Sequence, residues 1–293
     1  MYILWLGHPL CHERSLVGGK AANLSRLAEA YRVPPGFCLT TQAYDLAVAH
    51  SVAADAPGPE CPGLPPDLVE PVAGAYRELA QRCQEAEPGV AVRSSAVDED
   101  GATASFAGQY ETFLNVAGIK AVSQVIAQCW ASAHSARVAE YRRQHSLEPH
   151  GGRLAVLVQQ LILADVSAVA FGANPVSGSR DEIVINASWG LGESIVGGTV
   201  TPDTFVVRRA DLAILSRLIA DKRRMTVAVP GGTREVDVPR FLRTQTSLDE
   251  DQVVEIAHLL MAIEDSTGWP ADVECAYRSG ELYLLQCRPI TTV

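Results

Sequence analysis

Two carboxylates, one amide and one guanidinium group are closely spaced in the segment DVECAYRSGELYLLQCRPI near the end of the sequence. Asp272 and Glu274 are separated by one residue, and so are Gln286 and Arg288. Alternate residues of a β-strand face the same side, so each pair shares a face if its segment is extended. The Ser-Gly pair between the two segments is typical of a tight turn. The segment therefore predicts a hairpin in which the four side chains are neighbours.

The chemistry available to this hairpin depends on which of its side chains meet. Carboxylate and amide oxygens are ligands for Mg²⁺, so Glu274 and Gln286 are candidate metal ligands. The guanidinium of Arg288 can bind phosphate oxygens through paired donors. The alternative is an ion pair across the hairpin, such as Glu274 with Arg288, with a purely structural role. The hairpin alone does not distinguish a cation site from an ion pair.

Three other segments are rich in glycine or hydroxyl side chains: SLVGGK at 15–20, GATASFAG at 101–108 and GLGESIVGGT at 190–199. Backbone N–H groups in such loops can bind phosphate oxygens, although glycine-rich turns are also common without a ligand. None is a P-loop, because Lys20 is followed by Ala21 rather than by Ser or Thr. GLGESI also lacks the third glycine of the dinucleotide-binding motif. Each segment alone is a weak indication of an anion site.

Two basic residues lie at the ends of apolar segments. Lys20 opens a segment with helical spacing of apolar residues, and Arg93 interrupts the strand-like run VAVRSSA. An isolated lysine or arginine is most often a solvated surface charge. Because the neighbours of Arg93 are expected to be buried, we expect Arg93 to have an anionic partner or ligand.

The elements that position these residues alternate between helices and strands, which predicts an α+β fold. A length of 293 residues suits one large domain or two lobes, and we expect lobes at residues 1–180 and 181–293. The predicted helices are 18–31, 41–53, 67–86, 118–146 and 249–267. The predicted strands are 2–6, 90–95, 111–116, 154–162, 167–173 and 182–188, with a loop at 189–205, two or three strands over 204–238, and the final hairpin.

Composition excludes several classes of partner. The chain has 24 Lys and Arg against 34 Asp and Glu, a net charge of −10, which argues against a nucleic-acid or membrane-surface binder. Seven cysteines are scattered without a CxxC pair or zinc-site spacing, which is typical of reduced thiols in the cytosol. We find neither a signal peptide nor an apolar run of the roughly 18 residues that a membrane span needs. We therefore expect a cytoplasmic protein.

Six blocks of the sequence, taken in order, resemble one family. They are VGGKAANLSRLA with VPPGFCLTTQAY, VAVRSSAVDEDGATASFAGQYETFLNV, VQQLI, ANPVSG, INASWGLGESIVGGTVTPDTF and DVECAYRSGELYLLQCRPIT. These blocks are similar to the ATP-binding domain of the phosphoenolpyruvate synthase, pyruvate phosphate dikinase and rifampicin phosphotransferase group. Because ordered blocks with consistent spacing cover nearly the whole chain, the resemblance is more specific than any one motif.

The resemblance implies an ATP-grasp fold, with the nucleotide between two lobes, and ATP and Mg²⁺ as cofactors. It implies that Lys20, Arg93 and Arg288 are catalytic residues that bind the ATP phosphates. It also implies that Glu274 and Gln286 are the Mg²⁺ ligands. Further nucleotide-binding residues implied by the resemblance are Ser105 and Gly108 in the loop over the phosphates, Thr112 beside that loop, Gln159 on the adenine-binding strand, and Glu193 in GLGE.

This sequence departs from the family pattern at two levels. Cys275 stands where the family usually has tryptophan, and we expect this position to pack in the interior. Family members also continue into a domain with a phosphocarrier histidine and a third domain for the acceptor. The seven histidines here lie outside the Gly-rich Thr-Ser-His context of that carrier, so we expect the carrier histidine elsewhere.

Three functions follow from the resemblance. The first is an ATP- and Mg²⁺-dependent phosphotransferase, a kinase, that acts on a small-molecule acceptor. The second is the nucleotide-binding subunit of a split system, in which a separate protein supplies the phosphocarrier histidine. The third is a non-catalytic ATP-binding protein, which we rank lowest because mere folding does not require the complete set of phosphate and metal residues. The acceptor, and whether ATP yields ADP or AMP, stay open.

Overall fold

The computed structural model describes residues 1–53, 64–98, 111–144 and 152–290. The chain forms two compact units. The first unit comprises Met1–Ala30, Pro34–Leu161 and Pro230–Gly232, and the second comprises Tyr31–Val33, Ile162–Val229 and Thr233–Val293. This boundary lies before the division that we predicted after residue 180. The difference arises because the strand Val166–Phe171 pairs with strands of the second unit.

In the described residues of the first unit, a five-stranded sheet is combined with five α-helices. Its strands are β1 (Ile3–Trp5), β2 (Gly36–Leu39), β3 (Val90–Ala96), β4 (Thr112–Val116) and β5 (Leu154–Gln160). They lie in the order β1-β2-β5-β3-β4, with antiparallel pairing between neighbours. After a short 3₁₀ helix at Pro9–His12, the helices are α1 (Arg14–Leu27), α2 (Thr41–Ala53), α3 (Pro66–Cys83), α4 (Ile119–Ser132) and α5 (Ala136–Gln144).

One face of this sheet packs into the hydrophobic core of the first unit. Val92 of β3 and Val156 of β5 are completely buried there, together with Leu79 of α3 and Ile126 of α4. Because side chains alternate along a strand, the residues between them face the other side. That other side contacts α1, which packs against β3 and β5. Arg93 is therefore on the face that α1 covers.

The predicted helix 118–146 is in fact two helices, α4 and α5. The hydroxyl of Ser132 donates a hydrogen bond to the carbonyl oxygen of Cys129 at 2.7 Å, at the end of α4. The hydroxyl of Ser135 accepts one from the backbone N–H of Val138 at 3.3 Å, as an N-cap does. Serine side chains that bond to nearby backbone favour helix ends over helix interiors, which explains the break.

The second unit contains a six-stranded sheet, a separate hairpin and two helices. Its elements are β6 (Val166–Phe171), β7 (Glu182–Trp189), α6 (Glu193–Val196), β8 (Asp203–Arg208), β9 (Ile214–Leu218), β10 (Arg224–Val229), β11 (Gly232–Asp237), α7 (Glu250–Thr267), β12 (Ala271–Arg278) and β13 (Glu281–Pro289). The sheet has the order β13-β12-β6-β7-β8-β9, and β10 pairs with β11. The segment predicted as a loop at 189–205 thus contains α6 and the start of β8.

Helix α7 packs against one face of this sheet. A capping box begins the helix, since Asp249 accepts from the N–H of Gln252 and the Gln252 side chain accepts from the N–H of Asp249. The Tyr277 hydroxyl of β12 donates to the Glu255 carboxylate of α7 at 2.6 Å. Odd-numbered residues of β12 therefore face α7, and even-numbered residues face the opposite side. Within the described part of the chain, no helix combines the length and apolarity that crossing a bilayer requires.

Candidate functional site

The predicted C-terminal hairpin is present as β12 and β13. A two-residue turn joins the strands, because Arg278 pairs with Glu281. Both turn residues have positive φ, 52° at Ser279 and 79° at Gly280, which is the requirement of a type I′ turn. This turn fixes the register from Arg278 to Cys275, and a one-residue shift after Glu274 sets it for the rest of the hairpin.

The register places the predicted site residues directly opposite each other. Glu274 pairs with Gln286, and Asp272 pairs with Arg288. All four lie on the face of the sheet opposite α7. A β-bulge follows Glu274, where the register shifts so that Cys275 pairs with Leu284. The bulge leaves the alternation of β12 intact, because β12 pairs with β6 in continuous register from Asp272 to Tyr277.

Arg288 forms its ion pair with Asp272, and not with Glu274 as the structural alternative supposed. The Nε atom of Arg288 lies 2.7 Å from Oδ2 of Asp272, and its Nη2 atom lies 2.5 Å from the same oxygen. Asp272 has a side-chain exposure of 7%, against 25% for Arg288. The pair orients the guanidinium while part of Arg288 stays accessible.

The Glu274 carboxylate has no hydrogen bond or ion pair with any residue in the described ranges. It is half-buried, and its cross-strand neighbour Gln286 carries an amide oxygen. An anionic and a neutral oxygen ligand at adjacent positions match the ligand preference of Mg²⁺. No group of three or more His, Cys, Asp and Glu side chains among the described residues could hold a metal. The donor set therefore fits an ion that keeps waters or substrate oxygens as its other ligands.

Two further polar residues, Asn186 and Thr204, lie in the same cross-strand row as this pair, beyond Val169, and they were not predicted from the sequence. Thr204 of β8 pairs with Asn186 of β7, Asn186 with Val169 of β6, and Val169 with Glu274. The Thr204 hydroxyl donates to the Asn186 side-chain oxygen at 2.8 Å. In the sequence, Asn186 is a polar residue within the apolar run EIVINAS, just as Arg93 interrupts VAVRSSA, and this could have marked it as a candidate. Its alignment with Glu274, however, follows only from the strand order.

Cys275 is buried on the α7 face of the sheet, as predicted for this position. Its exposed fraction is 1%. Burial, and then the negative charge of Glu274, raise the pKa of the Cys275 thiol to about 12. A protonated thiol in this position acts as a small packing side chain and takes no part in metal binding.

Glu193 is in the second unit as well, at the first position of α6. It is exposed, and its carboxylate accepts a hydrogen bond from the Thr233 hydroxyl at 2.8 Å. The preceding Gly192 lies against β6, since a side chain at Gly192 would meet the Cβ atom of Ser167 at 3.4 Å. Helix α6 therefore contacts a strand next to the one that carries Glu274.

Lys20 and Arg93 both lie in the first unit, on α1 and on β3. The Nζ atom of Lys20 lies 3.4 Å from the carbonyl oxygen of Ser94, the residue that follows Arg93 on β3. Thr112 of β4 pairs directly with Arg93, and so does Leu157 of β5. Lys20 thus contacts the strand that carries Arg93, and Thr112 is the cross-strand neighbour of Arg93.

Gln159 shares the sheet face of Arg93, because it lies two residues after the partner of Arg93 on β5. It is almost completely buried, and its side-chain amide donates to the carbonyl oxygen of Pro34 at 3.1 Å. Ser105 and Gly108, predicted to lie over the phosphates, are outside the described residues.

Comparisons with known proteins identify the family of this chain. The family described as "Pyruvate phosphate dikinase, AMP/ATP-binding domain" matches residues 62–293. A phosphoenolpyruvate synthase of Pyrococcus furiosus is 36% identical over 358 aligned positions, which cover 100% of this chain and 44% of the relative. A rifampicin phosphotransferase of Streptomyces sviceus is 38% identical over 301 positions, covering 95% of this chain and 34% of the relative.

A third relative is the prodigiosin synthesizing transferase PigC of Serratia marcescens, which is 37% identical and covers 94% of this chain. The chain spans less than half the length of these relatives, between 32% and 44%. The family match covers well over half of the chain, and two relatives of different printed function align with nearly all of it. The chain belongs to the pyruvate phosphate dikinase AMP/ATP-binding domain family.

Proposed function

We propose that this chain binds ATP with Mg²⁺ and transfers a phosphoryl group from ATP to a small-molecule acceptor. One observation carries the proposal. The Glu274 carboxylate is held opposite Gln286 and beside an oriented Arg288, and it makes no hydrogen bond or ion pair within the described ranges. A half-buried carboxylate in this state is costly for folding alone. A cation and a phosphate chain would offset that cost.

In this function, Glu274 and Gln286 hold Mg²⁺ through their side-chain oxygens. The bound ion supplies charge neutralisation for the phosphates. Arg288 donates to phosphate oxygens while Asp272 accepts from its Nε atom, so the guanidinium keeps its orientation when the ligand arrives or leaves. Phosphoryl transfer depends mainly on such positioning and charge stabilisation.

Lys20 and Arg93 are proposed to bind ATP phosphates as well, and Thr112 lies beside Arg93 on the next strand. ATP carries several negative charges, so its phosphates need several donors. Gln159 and Glu193 complete the proposed nucleotide contacts.

Two finer proposals accompany this one. We assign the chain an ATP-grasp fold, which the family match and the two antiparallel sheets support. We also assign it to the cytoplasm, because its seven scattered cysteines lack CxxC pairs and zinc-site spacing, which is typical of reduced thiols.

The proposal is tested by calorimetric titration of ATP into the full chain, with Mg²⁺ and with EDTA. We expect binding that Mg²⁺ strengthens. Mass spectrometry of the nucleotide products, across a panel of candidate acceptors, then identifies acceptor-dependent formation of ADP or AMP. Absence of ATP binding in both titrations overturns the proposal at its first step.

A second candidate function is the nucleotide-binding part of a system whose phosphocarrier histidine lies on a separate protein. The observation that favours it is that the relatives are much longer than the region they share with this chain. In this case, ATP consumption requires the histidine-bearing protein, and the carrier becomes phosphorylated. Acceptor-dependent turnover by this chain alone would exclude the split arrangement.

A further inference from the structure

Helix α1 is interrupted just before Lys20. Gly18 has φ 76° and ψ 174°, which is not helical, and regular helix resumes with Gly19. Gly18 therefore occupies the N-cap position of the helical segment that carries Lys20, and Ala21 is the third residue of that segment. An N-cap side chain normally accepts a hydrogen bond from the N–H of the second or third residue. Gly18 has no side chain that could do so.

Ser95 of β3 supplies the missing acceptor from another part of the chain. Its hydroxyl oxygen lies 3.2 Å from the backbone nitrogen of Ala21, and both residues are completely buried. A Cβ atom at Gly18 would lie 2.1 Å from the Ser95 carbonyl oxygen and 2.4 Å from the Ser95 hydroxyl oxygen. A residue with its own capping side chain therefore cannot occupy position 18 while Ser95 stays in place. The hydroxyl of Ser95 therefore takes the place of the capping side chain that Gly18 lacks.

This arrangement fixes Lys20 relative to Arg93. Ser95 lies two residues after Arg93 on the same face of β3, so the capped turn is bound to the strand that carries Arg93. Lys20 lies between Gly18 and Ala21, and its Nζ atom reaches the carbonyl oxygen of Ser94. The backbone of Lys20 is thus held on both sides.

We propose that Ser95 is a positioning residue for phosphate binding: its hydroxyl caps the helical turn of Lys20 and thereby holds the lysine beside Arg93. The inference rests on the proposed function, because it assumes that Lys20 and Arg93 bind ATP phosphates. Ser95 itself is buried and does not contact the ligand. It acts through the backbone of the turn, which makes its contribution separable from that of Lys20.

The test compares Ser95→Ala with Ser94→Ala. Ser94 is the adjacent residue of β3 and is also completely buried, but its hydroxyl has no hydrogen-bond partner among the described residues. Both variants remove one buried hydroxyl from the same strand. We expect the dissociation constant for MgATP to rise about tenfold in Ser95→Ala, as for loss of one buried hydrogen bond, and to stay within about twofold in Ser94→Ala. The affinity for adenosine, which lacks phosphates, is expected to stay unchanged in both.

A double-mutant cycle shows whether Ser95 acts through Lys20. In a Lys20→Met background, we expect Ser95→Ala to cause no further loss of MgATP affinity. An equal loss in Ser94→Ala and Ser95→Ala, or an additive effect in the cycle, overturns the positioning role. If Ser95→Ala fails to fold, Ser95→Cys takes its place, because sulfur is a weaker acceptor of similar size. Failure of the wild-type chain to bind MgATP contradicts the proposed function instead, so the two failures are distinguishable.

Discussion

Arg288 donates a hydrogen bond from Nε to Oδ2 of Asp272 at 2.7 Å, and its Nη2 atom lies 2.5 Å from the same oxygen. The geometry uses the planar fork of arginine, which lysine cannot reproduce. We expect Arg288→Lys to retain the charge but lower kcat/KM for ATP by about 10²-fold, as for removal of one donor from a transition-state site. Steady-state kinetics with the acceptor identified by mass spectrometry measure this change.

The matched control for Arg288→Lys is Arg278→Lys on the same hairpin. Arg278 is also paired with a carboxylate, Asp165, but it is exposed at the turn and its neighbour Ser279 also bonds to Asp165. We expect this variant to keep wild-type kinetics. Equal rates for the wild type and Arg288→Lys would remove Arg288 from the site.

Glu274→Gln tests the metal site with little change in side-chain volume. We expect the variant to bind ATP equally with and without Mg²⁺, because a neutral amide pair attracts a divalent cation less than a carboxylate does. The wild type is expected to bind MgATP at least tenfold more tightly than ATP in EDTA. Calorimetric titrations under both conditions give the ratio of the two dissociation constants.

Glu281→Gln provides the comparison for Glu274→Gln. Glu281 begins β13 and forms an exposed ion pair with Arg32, so the substitution removes a carboxylate from the same hairpin without affecting the predicted ligands. Its Mg²⁺ dependence should match that of the wild type. An unchanged Mg²⁺ dependence in Glu274→Gln would assign the metal to other ligands.

Lys222 and Asp203 form an ion pair that is completely buried, with Nζ 2.6 Å from Oδ1. Asp203 also accepts from the backbone N–H groups of Ala220 and Ser247 and from the Ser247 hydroxyl. Lys222→Met leaves a buried carboxylate without its counter-charge, and we expect the free energy of unfolding to fall by about 3–5 kcal/mol. Urea unfolding followed by circular dichroism measures it.

Arg208→Met serves as the reference for that loss. Arg208 lies on the same strand as Asp203, and its ion pair with Asp211 is exposed. We expect a much smaller change in stability, because water screens exposed pairs. Comparable losses in the two variants would show that burial does not set the cost of breaking the Lys222 pair.

The parts of the fold that could be predicted are those with strong local signals. The hairpin of β12 and β13 follows from alternation around a Ser-Gly turn, and the capping box at Asp249 begins α7 one residue after its predicted start. The break between α4 and α5 was missed because the start of α5 depends on the Ser135 hydroxyl, within a run of otherwise helix-compatible residues. Local propensity did not reveal that break.

The same distinction between local sequence signals and long-range packing applies to the candidate site. Glu274, Gln286 and Arg288 lie on one hairpin, so their proximity could be predicted, but the β-bulge after Glu274 is what places Glu274 directly opposite Gln286 and no local pattern showed it. Asn186 joins their row only through the order of β7, β6 and β12, which no local pattern encodes. Ser95 was missed for a related reason, since the glycine that it caps is 77 positions earlier in the sequence and the pairing arises from packing between α1 and β3.

Stability at high pH should depend on Cys275. Burial and the charge of Glu274 raise the pKa of its thiol from 9.0 to about 12, so the thiolate forms more readily in the unfolded chain. A raised folded-state pKa contributes stability that is fully present below pH 9 and is lost as pH rises toward 12. Between these values, deprotonation of this thiol in the unfolded chain lowers the free energy of unfolding steadily as pH rises.

The contribution of Cys275 is isolated by comparing the wild type with Cys275→Ala, because the other buried thiols and tyrosines titrate in both proteins. Urea unfolding at pH 8, 9 and 10 gives the two stability profiles. We expect the stability of Cys275→Ala to be lower at pH 8, because a buried side chain is truncated, and to decline less steeply above pH 9. Parallel profiles across this range would mean that the Cys275 thiol titrates alike in the folded and unfolded chains, which contradicts its burial beside Glu274.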